Sequence, residues 1–201
     1  MNFLAHAYLS FHQPKILVGN FIGDFVKGNL DIQFERELIQ GILLHREIDQ
    51  FTDSHPVVKE SQLLLKPVFL RYSSVITDMF YDYFLALNWP TYHDDSLEKF
   101  SQEVYEIMGD HLPLLPVKFK NTFKYMQREN WLVTYGTKAG IHRALTGISY
   151  RTTFKSNLEN ATSHLMLHHD KFQMYFDDFF PELIVFSQEM LTKIQQEDDP
   201  K

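Results

Sequence analysis

The chain has 201 residues, 44% hydrophobic and 22% charged, with a formal net charge of -7; this balance excludes a disordered chain and suits one domain. Cysteine is absent, which excludes disulfides and thiolate zinc sites and fits a reducing cytoplasm. No run nears the roughly 18 apolar residues of a membrane span, and the net charge with the acidic end QQEDDPK argues against general nucleic-acid binding.

Helical periodicity runs along the whole chain, and no alternating strand pattern competes with it. Prolines, together with Gly28-Asn29, set the breaks. The predicted helices cover 2–11, 15–27, 35–53, 57–66, 69–88, 95–109, 117–134, 138–149, 157–175 and 180–196. The fold class is all-α: a compact single-domain helical bundle over 1–196, followed by an acidic tail at 197–201. Eighteen Phe, ten Tyr and two Trp predict a core built largely of rings.

In the first helix, MNFLAHAYLS, His6 follows Phe3 by three residues and faces inward, as a ligand or as a hydrogen-bonded core histidine. This start lacks the basic region and long apolar stretch of a signal peptide. The second helix contains GNFIGDFVKGN, where Asp24 lies at the edge of an apolar arc made by Leu17, Val18, Phe21, Ile22, Phe25 and Val26. A carboxylate taken into an apolar interior needs a positive or hydrogen-bonding partner.

The third helix gives the sharpest signal. In FERELIQGILLHREIDQFTD, Leu38, Ile42, His45 and Asp49 fall on one face, so imidazole and carboxylate project from adjacent turns. That pair fits either a divalent metal or a hydrogen-bonded packing contact. His55 reads as a helix-entry residue or an outer partner, and Asp53 as a cap. In SSVITDMFYDYFLALNW, Asp78 and Asp82 are again four residues apart, and like charges at that spacing repel unless a cation meets them. The adjacent pairs at His93-Asp94 and His169-Asp170 sit in polar stretches and read as decoys.

Taken together, His6, Asp24, His45, Asp49, Asp78 and Asp82 converge from several helices. One or two divalent cations satisfy them jointly, with mixed nitrogen and oxygen ligation suiting manganese, iron or magnesium. No phosphate-binding glycine loop, dinucleotide fingerprint or serine-hydrolase elbow is present.

The blocks MNFLAHAYLS, GNFIGDFVKGN, HREIDQFTD, DMFYDYFLALNW and NWLVTYGTKAGIHRALTGISYR resemble, in order, the acyl carrier protein phosphodiesterases. The resemblance implies an HD-domain-like helical fold and manganese dependence. It also implies a reaction that removes 4′-phosphopantetheine from the serine of holo-acyl carrier protein. The family's essential metal-site aspartate falls on Asp24. His45, Asp49, Asp78 and Asp82 fall within the matched blocks. Histidine and aspartate here are separated by three residues, unlike the adjacent pair of the wider HD pattern, which leaves open which carboxylates bind directly and whether one metal binds or two.

On this reading Asp24, His45 and His6 form the catalytic group, and Lys27 neutralises phosphate charge or is a solvated helix-end cation. Residues 130–158 hold no Asp or Glu from Asn130 to Leu158 but contain Lys138, Arg143, Arg151 and Lys155. That window reads as a dock for the acidic carrier protein, or as a solvated face. Two rival functions remain at this stage: a metal phosphohydrolase of nucleotides or other small phosphoesters, and a non-catalytic helical binding module. The oligomeric state is not legible.

Overall fold

The computed structural model describes residues 1–154 and 156–197. They form α1 (Phe3–Tyr8), α2 (Pro14–Ile22), α3 (Arg36–Ser54), α4 (Pro56–Phe69), α5 (Ser73–Leu87) and α6 (Trp89–Tyr92), then α7 (Leu97–Asp110), α8 (Val117–Arg128), α9 (Trp131–Thr134), α10 (Lys138–Ser149), α11 (Ala161–Leu167) and α12 (His169–Glu197). No strand occurs among the described residues, and the class is all-α. Residues 198–201 of the acidic tail lie outside the described residues.

One hydrophobic cluster runs through these helices, and rings dominate it as the composition predicts. The long α12 lays Phe172, Phe176 and Phe180 against its neighbours: Phe172 meets Phe80 of α5 at 5.1 Å, and Phe180 meets Tyr8 of α1 at 5.8 Å. Ser96 caps α7 and Thr137 caps α10, each accepting a hydrogen bond from a backbone N–H inside its helix.

Two glycines set the crossing that matters for function. Gly19 on α2 faces Gly41 on α3, and a Cβ on either would collide with backbone carbonyl oxygens of the other helix, those of Leu38 and Ile16. Side-chain-free contact lets α2 and α3 pack backbone to backbone, which brings the end of α2 down onto the His45 turn of α3. A Cβ on Gly23 would strike the His45 ring itself.

Several predicted boundaries are corrected. The helix over 15–27 stops at Ile22, and Gly23–Phe25 tighten into a 3₁₀ turn before Val26 becomes extended. The helix over 117–134 splits where Asn130 turns left-handed at φ 47°. The break predicted at Pro181 does not occur, and α12 passes through it. Pro181 and Asp177 are both exposed, so the carbonyl left without an N–H partner can bond to water.

Candidate metal centre

Three elements converge beneath the α2–α3 crossing. α1 brings His6, α3 brings His45 and Asp49 from successive turns, and the 3₁₀ turn after α2 brings Asp24. The two imidazoles stack, with centroids 4.1 Å apart and planes 20° apart. His6 Nε2 lies 3.3 Å from Asp49 Oδ1, while His45 Nε2 lies 3.2 Å from Asp49 Oδ2 and 3.4 Å from Asp24 Oδ1.

Asn20, fully buried on α2, fixes the tautomer of both rings. Its Nδ2 donates to the His6 carbonyl (2.9 Å) and to Ser10 Oγ (3.1 Å), so its Oδ1 is the acceptor turned toward His6 Nδ1 at 2.7 Å. His6 therefore carries its hydrogen on Nδ1. His45 Nδ1 donates to the Asn20 backbone carbonyl at 2.8 Å.

Each Nε2 is thus left with a lone pair aimed at a carboxylate, and neither atom has a hydrogen-bond partner although both are buried. Acceptor facing acceptor is repulsive, so the arrangement calls for a cation. Without a metal, a single proton takes that place. Burial works against it on His45, but contact with Asp24 and Asp49 outweighs burial and holds that imidazole up at about 9. Burial and the neighbouring His45 push His6 down to about 4. Asp49 is penalised by burial, yet contacts with His45, His6 and the Met1 ammonium leave it well below the carboxylate range. His45 likewise holds Asp24 low.

The ligand atoms of His6, His45 and Asp49 lie within 4.8 Å of one another, and no other such group occurs among the described residues. Two imidazole nitrogens with a carboxylate suit a first-row divalent ion, so the residues present fit the expected cation.

The acyl carrier protein phosphodiesterase family model matches residues 1–183. The chain belongs to that family. Relatives carrying the same name include those of Photorhabdus laumondii, 34% identical over 92% of this chain and 93% of the relative, and of Yersinia enterocolitica, 32% identical over 94% and 98%. A Pectobacterium atrosepticum relative is 31% identical over 98% of this chain and its own full length. No solved structure matches.

The structure sorts the residues in the family's matched blocks. Asp24 is not buried as its place on the wheel predicts: its side chain is 76% exposed, because the 3₁₀ turn swings it to the rim. Asp78 does not join the ligand set. Its Oδ1 lies 3.2 Å from the buried Met1 ammonium, which also lies 3.3 Å from Asp49 Oδ1. Burial works against that ammonium, but Asp78, Asp49 and Asp82 raise it to about 11. Asp82 is also corrected from ligand to cap. It is fully buried and accepts the N–H of Leu4 at 2.8 Å, of Ala5 at 3.3 Å and of Asn2 at 3.4 Å.

Lys27 is exposed and shares an open groove with Asp24, Phe25 and Lys118. Lys138, Arg143 and Arg151 are exposed, and the two arginines line a cavity of about 170 Å³ whose walls include Asn2, Phe3, Met79 and Trp131. Lys155 lies outside the described residues. His55 contacts Glu182 at 3.3 Å, and His93 stacks on Trp89, so both stand outside the centre.

Asn20 escaped sequence reasoning. Its signal was there: an amide within an apolar helical run, one residue from a glycine. Asn20→Leu removes the Oδ1 that orients His6, and metal affinity is expected to fall about 10–100-fold. Isothermal calorimetry with manganese checks this; an unchanged affinity would deny Asn20 that role.

Proposed function

We propose that the protein is a metal-dependent phosphodiesterase that hydrolyses 4′-phosphopantetheine from the serine of holo-acyl carrier protein, yielding the apo form. Family membership supports the reaction. The observation that carries the chemistry is the pair of buried, unpartnered Nε2 atoms beside Asp49, each ring fixed by Asn20. Manganese is the proposed ion, with magnesium or iron as substitutes, held by His6, His45 and Asp49 and reached at the rim by Asp24. When bound, such an ion supplies Lewis acidity toward a phosphoester oxygen and lowers the pKa of water.

The chain's own residues complete the site. Asp24 is ionised at neutral pH and exposed at the mouth, where it can orient the attacking water and take its proton. His45 and His6, pinned through Nδ1, keep their positions while charge develops. Lys27, on the shared groove, offsets negative charge on the phosphodiester as the serine oxygen leaves. Arg143, Arg151 and Lys138 lie on the carrier-protein side in this reading. The proposed compartment is the cytoplasm; no described helix is long and apolar enough to cross a membrane.

Incubating holo-acyl carrier protein with the protein and manganese, followed by mass spectrometry, tests the reading. Loss of one phosphopantetheine unit is expected; an unchanged mass contradicts it. A small phosphoester cleaved while the carrier protein stays intact would point to the rival phosphohydrolase.

Ligation also predicts a pH dependence. Metal-free His45 keeps its proton up to about pH 9 and His6 gives its proton up near 4, so binding near neutrality displaces one proton, from His45. Apparent manganese affinity should rise about tenfold per pH unit between pH 6 and 8 and level off above 9. The raised His45 value stabilises the metal-free fold fully below its unfolded value of 6.5, and that contribution disappears as pH climbs through 9. Calorimetric affinities that are flat across pH 6–8 would rule out displacement of the His45 proton.

A further inference from the structure

Helix α8, VKFKNTFKYMQR, carries Lys118, Lys120, Lys124 and Arg128 and no acidic residue, in a chain of net charge -7. Lys120, Lys124 and Arg128 follow at i,i+4, a spacing at which like charges repel. Among the described residues no ion pair relieves Lys118 or Lys124, and both are exposed. Val117 (73%) and Tyr125 (52%) are exposed beside them. This outer face is basic with apolar residues set into it.

Its inner face is tied to the metal centre. Phe119 packs against Phe25 at 5.2 Å, Phe21 at 6.1 Å and Phe3 at 6.4 Å, linking α8 to the Asp24 turn and to the helix of His6. At one end Lys118 borders the groove of Asp24 and Lys27. At the other, Arg128 pairs with Glu129 at 2.7 Å, and Glu129 lines the same cavity as Arg143 and Arg151. Basic residues therefore run from the rim of the metal centre along α8 to Arg128, where the acidic Glu129 stands between them and the arginines of α10.

We propose that the outer face of α8 is the docking surface for an acidic protein, seated so that a phosphodiester beside it reaches Asp24. This rests on the carrier-protein reading above and places the dock mainly on α8, with Arg143 as its far end. Charge complementarity selects an acidic partner, and the exposed Val117 and Tyr125 give it apolar contact.

The test compares Lys124→Glu with Arg128→Glu, combined, against Lys59→Glu with Lys193→Glu, which changes net charge equally on α4 and α12. For holo-acyl carrier protein the α8 variant should raise KM about tenfold or more, keep kcat within about twofold, and weaken the salt dependence of kcat/KM. Turnover of bis(p-nitrophenyl) phosphate, which needs no dock, should stay within about twofold and shows that the site is folded. An unchanged KM in the α8 variant overturns the proposal, as does an equal rise in the α4/α12 control. Anionic phosphatidylglycerol vesicles bound by the unmodified protein and released by the α8 variant, with KM unchanged, would assign the face to lipid instead. If the unmodified protein fails to hydrolyse holo-carrier protein at all, the hydrolase reading falls and this assignment with it. Hydrolysis with equal KM in every variant removes the dock alone.

Discussion

His45→Ala should lower hydrolysis of holo-acyl carrier protein about a thousandfold or more at saturating manganese, while the circular dichroism spectrum stays helical. Removing one preorganised electrostatic group from an active site costs about 10²–10³ in rate, and the same substitution also removes a proposed metal ligand. His45 is the hub of the centre: its Nε2 stands between Asp49 and Asp24, and its ring stacks on His6. The fold should survive because the ring occupies space that Gly23 leaves open rather than joining the aromatic core. Steady-state assay gives the rate; near-normal turnover would remove His45 from the chemistry.

Asp82→Ala should do the opposite, leaving the chemistry and weakening the fold. The carboxylate is fully buried and accepts N–H groups of Asn2, Leu4 and Ala5, the orphan donors at the start of α1. Leaving buried donors unsatisfied costs about 1–3 kcal/mol each, so a total of about 3–5 kcal/mol is expected. For a chain of this size that corresponds to a melting temperature lower by about 6–20 °C.

The deficit depends on pH. Burial holds the Asp82 carboxyl up at about 7 even though those N–H groups and the Met1 ammonium favour its ionised form. The folded state therefore binds this proton more tightly than the unfolded chain does. The stability gained that way is complete below the unfolded value near 4 and is lost as pH rises through 7. The gap between the unmodified protein and Asp82→Ala should be wider at pH 5 than at pH 8, as read by thermal melts. A gap independent of pH would assign Asp82 an ordinary carboxyl value.

Much of this was legible in the residues. The i,i+4 spacing of His45 and Asp49 on an apolar face marks the core of the centre, and His6 follows the same logic from α1. Helical periodicity is a local property, which is why it placed these side chains well. It misplaced Asp24, because a wheel assumes that the helix continues, whereas Gly23–Phe25 tighten to 3₁₀ and carry Asp24 to the rim. It also grouped Asp82 with the ligands, since a buried carboxylate that caps a distant helix and one that binds metal carry the same sequence pattern. Their difference lies 77 to 80 residues away, in backbone N–H groups at the start of the chain. Asn20 was missed for a similar reason. Its amide bonds to His6 and Ser10 and its backbone carbonyl to His45; an amide in an apolar run marks the position, but no spacing within α2 names those partners.

The basic window at 130–158 was visible as composition, but its place was not. Arg143 and Arg151 line a cavity, while the basic face that runs along the metal centre belongs to α8, which lies before the window. Acid-free stretches catch the eye in a sequence. A surface forms from whatever the packing leaves outside, and Phe119, Phe123 and Met126 turn the lysines of α8 outward.

The most direct test is diffraction from manganese-soaked crystals, recorded at the manganese absorption edge. One anomalous peak is expected within bonding distance of His6 Nε2, His45 Nε2 and a carboxylate oxygen of Asp49, and it should vanish in His45→Ala. A peak between Asp78 and Asp82, or no peak in protein that is active with manganese, would contradict it.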